Sequence, residues 1–285
     1  MPMFRPEAVC ERMPSDAAAF FSVRTEESLP STNAALKEQA RSGEPAGAVL
    51  IAGEQSAGVG RLGRSFFSPS GTGLYLSVLL RPALSPEEVR FLTPCAAVAA
   101  AESIEAVCPG CDARVKWVND IYLREKKVCG ILTEASFTTE ASFAQENGSL
   151  SLAWAVIGFG VDLCPPAGGF PDALSHVAGT VFDTAPETDP RPVLAAALLS
   201  RLYAALASFS AHGFVPEYRR RSLLDGRRVL VRRESVLAKE EIPATALGIT
   251  EDCGLSVRFD DGHTEVLSSG EVAQSIPSVH LLRKR

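Results

Sequence analysis

The chain has 285 residues, 46% of them hydrophobic and 22% charged, with a formal net charge of −6. This is ordinary globular composition, and the length fits one large domain or a large domain with a small one. The acidic balance, with basic runs only at Arg219–Arg221 and at the tail Arg283–Lys284–Arg285, argues against a nucleic-acid partner, which would call for a broad basic face. No basic-then-apolar leader opens the chain, and no apolar stretch reaches bilayer length, so a cytoplasmic protein without a membrane partner is expected.

In chain order, residues 1–27 carry little pattern. Ser31-Thr32-Asn33 reads as a helix N-cap, with the helix stopping near Gly43. Ala48–Ala52 is a buried-strand run, followed by a glycine-rich basic loop from Gln55 to Pro69 and a second strand at Leu74–Leu80. Ser85-Pro86-Glu87-Glu88 has the makings of a capping box, and its helix is expected to reach Val107 with a kink or break at Pro94. Cys108-Pro109-Gly110-Cys111 follows. It has no second pair for a zinc site and no helix start behind it for a redox motif. It reads as a turn, and the seven scattered cysteines read as reduced thiols.

A short strand at Ala113–Trp117 ends in Asn119-Asp120. Val128–Ser136 and Leu150–Val161 read as a strand pair joined by a polar linker. Leu194, Leu198, Leu202 and Leu206 mark one face of a helix from Pro190 to about Phe209. Beyond Leu224 come short β-type runs at 229–231, 244–249, 255–259 and 264–267, with Asp261-Gly262 as a hairpin turn. Even spacing of short strands suggests a small β-barrel. The domain boundary is therefore placed at 224, with 1–224 as the larger domain, 1–27 as its N-terminal extension, and 225–285 as the barrel.

Four segments carry chemistry. Gly58-Val59-Gly60-Arg61-Leu62-Gly63-Arg64 contains GxGxxG after a strand, but turn residues follow where a dinucleotide fold needs a helix. What remains is a loop that either binds an anion through backbone amides and arginines or lies idle on the surface. Lys116-Trp117-Val118-Asn119-Asp120 sets a cation, an amide and a carboxylate at a strand end, suited to a nucleotide or to a solvated turn. Lys127-Val128-Cys129-Gly130-Ile131-Leu132 has a lysine entering a buried strand, either aimed inward or exposed. Gly158-Phe159-Gly160-Val161-Asp162 marks a close approach or a bulge.

Each is weak alone, but their order and spacing resemble the biotin–protein ligases from about Ser28 to Ser278. The resemblance rests on Ser31-Thr32-Asn33, on Gln55 with the GxGRxGR loop and its Phe67-Ser68-Pro69 exit, on KWxND at 116–120, on KxxGIL at 127–132 and on Gly158-x-Gly160. It implies an α/β (α+β) fold: a mixed-sheet, class II synthetase-like biotin/lipoate ligase domain followed by a small Src-homology-3-like β-barrel. It implies that biotin meets Ser31, Thr32, Asn33, Gln55, Val59, Gly60, Arg61, Lys127, Gly130, Leu132, Gly158 and Gly160. It sets Arg61, Arg64, Phe66, Lys116, Asn119, Asp120 and Asp162 on the ATP side, with Lys127, Arg61 and Asp120 as catalytic groups. Three positions depart from the family pattern: Val118 replaces its proline, Phe66 its tryptophan and Asp162 its asparagine.

The resemblance further implies formation of biotinyl-5′-AMP from biotin and ATP with Mg²⁺. The biotin then passes to a lysine of a biotin carboxyl carrier protein or domain of a carboxylase. Which residues hold the metal is not legible, and a homodimer is left open. Only 30 residues precede Ser31, too few for the winged helix of the repressor-type relatives. The rival readings are a lipoate/octanoate–protein ligase, which should carry a glycine triplet that this chain lacks, and a biotin-binding non-catalytic or regulatory protein.

Overall fold

The computed structural model describes residues 3–140, 149–234 and 239–274. The chain divides into two units, Met1–Arg221 and Ser222–Arg285. The strands of the first are β1 (Ser22–Leu29), β2 (Ala48–Gln55), β3 (Gly73–Leu80), β4 (Arg114–Lys116), β5 (Asp120–Leu123), β6 (Lys126–Glu140) and β7 (Ser149–Asp162). They form one sheet in the order β1-β2-β3-β7-β6-β5-β4. β1 runs parallel to β2 and every other neighbouring pair is antiparallel. This is the mixed sheet that the resemblance implies.

The helices are α1 (Glu7–Cys10), α2 (Ser15–Phe20), α3 (Thr32–Arg41), α4 (Pro86–Val89), α5 (Leu92–Val107), α6 (Asp172–Ser175), α7 (Arg191–Ala207) and α8 (Val215–Arg220). β3 is buried along its whole length, because both faces of the sheet are covered. On one face, Leu36 and Ala40 of α3 pack with Leu50, Leu79, Trp154 and Val156. On the other lie α5 and α7, which also pack on each other. Continuous apolar runs, rather than alternation, are what a strand covered twice requires.

Several expectations need correction. Residues 1–27 hold α1, α2 and most of the edge strand β1, none of whose residues is fully buried, so it leaves no apolar signal. The helix break falls at Arg90–Phe91, ahead of Pro94, which sits in the first turn of α5 where a missing N–H costs nothing. The Ser85 capping box is present. Asp120 opens β5 and Asn119 sits in the turn before it, rather than the two merely ending β4. Cys108 and Cys111 are joined sulfur to sulfur in the turn after α5, where reduced thiols were expected; the turn brings their Cα atoms to 5.6 Å, within disulfide reach. The linker at 141–148 lies outside the described residues.

The second unit has β8 (Arg228–Glu234), β9 (Lys239–Ile249), β10 (Leu255–Phe259), β11 (Thr264–Leu267) and β12 (Glu271–Gln274), antiparallel in the order β11-β10-β9-β8-β12. Leu255, Val257 and Phe259 are buried while Ser256 and Arg258 turn outward, the period-2 signature of a sheet with one core face. Gly262 takes a φ of 92° in the β10–β11 turn, which glycine tolerates without steric cost. Among the described residues β11 and β12 remain edges, so the sheet is Src-homology-3-like but not closed into a barrel. The basic tail at 283–285 lies outside the described residues.

Candidate active site

Alternate residues of β7 explain where the cleft is. Trp154 and Val156 face α3 and are covered by it. Two and four positions on, the same face carries Gly158 and Gly160, and there the helix has run out. A cleft of about 450 Å³ opens at that point. A Cβ at Gly158 would lie 2.1 Å from Asn33 Oδ1, and one at Gly160 would lie 2.4 Å from the Phe66 ring. Gly160 pairs with Gly130 of β6, so Phe66 lies on a floor with no side chains. Substituting Gly158 with alanine is expected to displace Asn33 and weaken binding of the ligand by at least about tenfold. Titration calorimetry with biotin, the ligand that the sequence resemblance implies, checks this, and parent-like affinity would show that Asn33 does not shape the site.

The closed end of the cleft is a hydrogen-bond network. Ser31 caps α3 through Oγ, accepting from the Ala34 N–H at 3.4 Å. The Thr32 N–H and Oγ1 both donate to Gln55 Oε1, at 2.9 and 3.1 Å. Gln55 Nε2 donates to Ser68 Oγ at 2.9 Å. Ser77 Oγ sits 2.7 Å from Thr32 Oγ1 and 2.6 Å from Asn33 Oδ1. Asn33 Nδ2 donates to the Leu132 carbonyl at 3.3 Å and to Glu134 Oε2 at 3.0 Å.

The other end is charged. Tyr122 pairs with Lys127 while its neighbour Ile121 pairs with Cys129, so Val128 is an extra residue on β6. Such a bulge re-aims the side chain beside it. It brings Lys127 Nζ to the face of Gly130, within 3.1 Å of where a Cβ there would sit. Lys127 Nζ is 2.7 Å from Asp120 Oδ1. Asn119 ties the glycine-rich loop to this end: its Oδ1 accepts from Arg61 Nη1 at 2.9 Å and its Nδ2 donates to the Ile131 carbonyl at 2.9 Å. The loop is itself a small hairpin, with Gly60 N–H bonded to the Arg64 carbonyl and Phe66 N–H to the Gly58 carbonyl.

Most of the residues singled out in the sequence therefore meet. Ser31, Thr32, Asn33 and Gln55 line the closed end; Val59, Gly60, Arg61 and Phe66 form the loop side; Asn119 and Lys127 stand at the charged end; Gly130, Leu132, Gly158 and Gly160 belong to the sheet. Arg64, Lys116, Asp120 and Asp162 do not line the cleft, though Asp120 touches it through Lys127 and Lys116 Nζ lies 6.0 Å over the Tyr122 ring. Sequence reasoning missed Ser77, Glu134 and Lys37. Ser77 left a signal, a small hydroxyl inside the apolar run 74–80, where a buried polar group needs partners. Among the described residues no group of three or more His, Cys, Asp or Glu could hold a metal ion.

Asp162, which stands where the family pattern has asparagine, is buried at the end of β7. Burial pushes its carboxyl up to about 8, against an opposing pull from Lys127. It is therefore neutral through most of the physiological range, and adds little negative charge there. The folded chain holds a proton that the unfolded chain releases near 3.8, so stability falls as pH rises from about 4 to about 8. Asp162→Asn is expected to match the parent near pH 4 and to exceed it by about 1–3 kcal/mol at pH 8. Denaturant midpoints at the two pH values measure this; an unchanged slope would mean that Asp162 is ionised in the folded protein.

The family model described as the Biotin/lipoate A/B protein ligase family matches residues 26–144. The "Bifunctional ligase/repressor BirA" of Bacillus spizizenii is 32% identical over 188 residues, covering 66% of this chain and 54% of that protein. The chain thus spans about half the length of that relative. The "Biotin--[acetyl-CoA-carboxylase] ligase" of Paracoccus denitrificans is 30% identical over 239 residues, covering 81% of this chain and 88% of that protein. The structure of a biotin protein ligase from Aquifex aeolicus in complex with biotin and ATP superposes with a TM-score of 0.69 at 26% identity, covering 88% of this chain and 97% of that one. The chain belongs to the biotin/lipoate A/B protein ligase family.

Proposed function

We propose that this chain is an ATP-dependent biotin–protein ligase. One observation carries the reading: a single cleft has Lys127, held by Asp120 from outside the lining, at one end and an acceptor-rich polar network at the other, joined by a floor where Gly130 and Gly160 pair. Such a cleft suits a small acid with a carboxylate at one end and a polar ring at the other. In the first step the acid's carboxylate oxygen attacks the α-phosphorus of ATP, pyrophosphate leaves, and biotinyl-5′-AMP forms. In the second, a deprotonated lysine amine of a carrier protein or domain attacks the acyl carbon, and AMP leaves with the bonding electrons.

Two anions must meet in the first step, so positive charge has to be in place beforehand. Lys127 is the cation aimed into the cleft, and Arg61 belongs to the loop that borders it. Asp120 holds Lys127 in position, and it is the nearest base for the incoming amine. Arg64, Lys116, Asn119 and the neutral Asp162 are assigned to the nucleotide side. Closure of the glycine-rich loop over the mixed anhydride would exclude water. Among the described residues no group of three or more His, Cys, Asp or Glu makes a metal cage, and Mg²⁺ would arrive on the phosphates of ATP. The 1–224 part is proposed as the catalytic domain and 225–285 as the small β-domain.

Lipoate and octanoate fit the family but have no N–H to offer the polar end. Biotin-dependent exchange of labelled pyrophosphate into ATP, with lipoate and octanoate in parallel, tests the reading. Exchange with biotin alone is expected. Exchange with lipoate instead would move the chain to the other branch, and none with any acid would leave a binding protein.

A further inference from the structure

We infer that the Lys37–Glu134 ion pair is a specificity device, locking the Asn33 amide so that the cleft's polar end presents oxygen acceptors and selects ligands bearing N–H donors. This rests on the proposed ligase reading and assigns residues outside the groups above. Asn33 has two amide hydrogens, and both are taken: one by the Leu132 carbonyl and one by Glu134 Oε2. Glu134 is itself held by Lys37 Nζ at 2.5 Å. A turned amide would set Oδ1 against two acceptors, one of them charged, so Oδ1 is fixed towards Ser77 and Gly158.

The hydroxyls of this network carry fewer hydrogens than the oxygens within their reach can accept. Ser77 has one hydroxyl hydrogen and two oxygens within reach, Thr32 Oγ1 and Asn33 Oδ1. Thr32 directs its own hydroxyl hydrogen to Gln55 Oε1, which also accepts the Thr32 N–H. With Thr32 so directed, one of the two oxygens facing Ser77 is short of a hydrogen. A ligand that brings an N–H supplies it; a hydrocarbon or dithiolane ring does not. Glu134 and Lys37 act through Asn33 and are positioning residues. Glu134 lies opposite Val156 in the β6–β7 register, beneath α3, which carries Lys37.

The test compares the parent with Glu134→Leu and Glu134→Gln, using biotin, octanoate and ATP as probes in pyrophosphate exchange and calorimetry. Glu134→Leu is expected to raise the KM for biotin by about tenfold or more. The kcat and the KM for ATP should stay near the parent's, and any weak octanoate binding should be unaffected. Glu134→Gln keeps an acceptor oxygen for Asn33 Nδ2 and should restore most of the biotin affinity. Parent-like biotin KM in Glu134→Leu, or equal losses for biotin, octanoate and ATP, would overturn the inference while leaving the ligase reading intact. A parent that neither binds biotin nor exchanges pyrophosphate with it would overturn both.

Discussion

Replacing Lys127 with alanine is expected to slow adenylate formation by about a hundredfold or more, roughly 3 kcal/mol in the barrier. The bulge at Val128 aims this amine at the cleft, and Asp120 at 2.7 Å holds it there. Without it, the Asp120 carboxylate would face the substrate's carboxylate and the α-phosphate with no countercharge between them. Arginine is not an equivalent replacement, because its planar fork needs more room than a point charge on a flexible stem. Pyrophosphate exchange measures the first step alone, and circular dichroism confirms that the variant is folded. Exchange within a few-fold of the parent would remove Lys127 from the reaction and shift the burden to Arg61.

The second large effect is on stability. Arg221→Ala is expected to destabilise the first unit by about 3–5 kcal/mol. The Arg221 side chain is only 4% exposed and donates to Glu105 twice, at 2.7 and 2.8 Å, to Glu217 at 2.7 Å and to the Ala113 carbonyl at 2.9 Å. Its own carbonyl accepts from the Val115 N–H at 2.7 Å. One residue thus ties α5, α8 and β4 together. Truncating it leaves two carboxylates and a carbonyl without their shared donor. The Arg221 hydrogen bond holds the Glu105 carboxyl below its ordinary 4.5. The stabilisation is therefore present above pH 4.5 and lost as pH falls through the lowered value. Urea midpoints at neutral pH check the prediction, and a loss under about 1 kcal/mol would mean that water replaces the guanidinium without cost.

The sequence shows some of this plainly and hides the rest for physical reasons. The Ser85 capping box, the Ser31 cap and the Leu194–Leu206 face are local patterns, and each appears where its chemistry sets it. The motifs Ser31-Thr32-Asn33, Gly130 and Gly158-x-Gly160 converge on one cleft, as their family resemblance implies. β1 was invisible because an exposed edge strand needs no apolar alternation. β12 was invisible because Val272 is its one apolar residue in the core, which leaves no alternation to read. Ser77 and Glu134 were overlooked for a different reason. Their importance comes from contacts with residues more than forty positions away, which spacing along the chain cannot reveal. What Asp162 does in place of asparagine is not legible along the chain either, because it turns on burial at the end of β7.

The bulged strand β6 also works as a gauge. Lys127, Gly130, Leu132 and Glu134 all lie on it, so charged end, floor and polar end are spaced by residue count at about 3.3 Å per step. The glycine-rich loop, at 58–64, lies outside β6 and does not set that spacing. An acid with a shorter or longer tail would reach one end and fall short of, or overrun, the other. On the proposed reading, chain length is thus read by a strand of the sheet, and a one-residue shift in its register would turn every side chain of β6 to the opposite face.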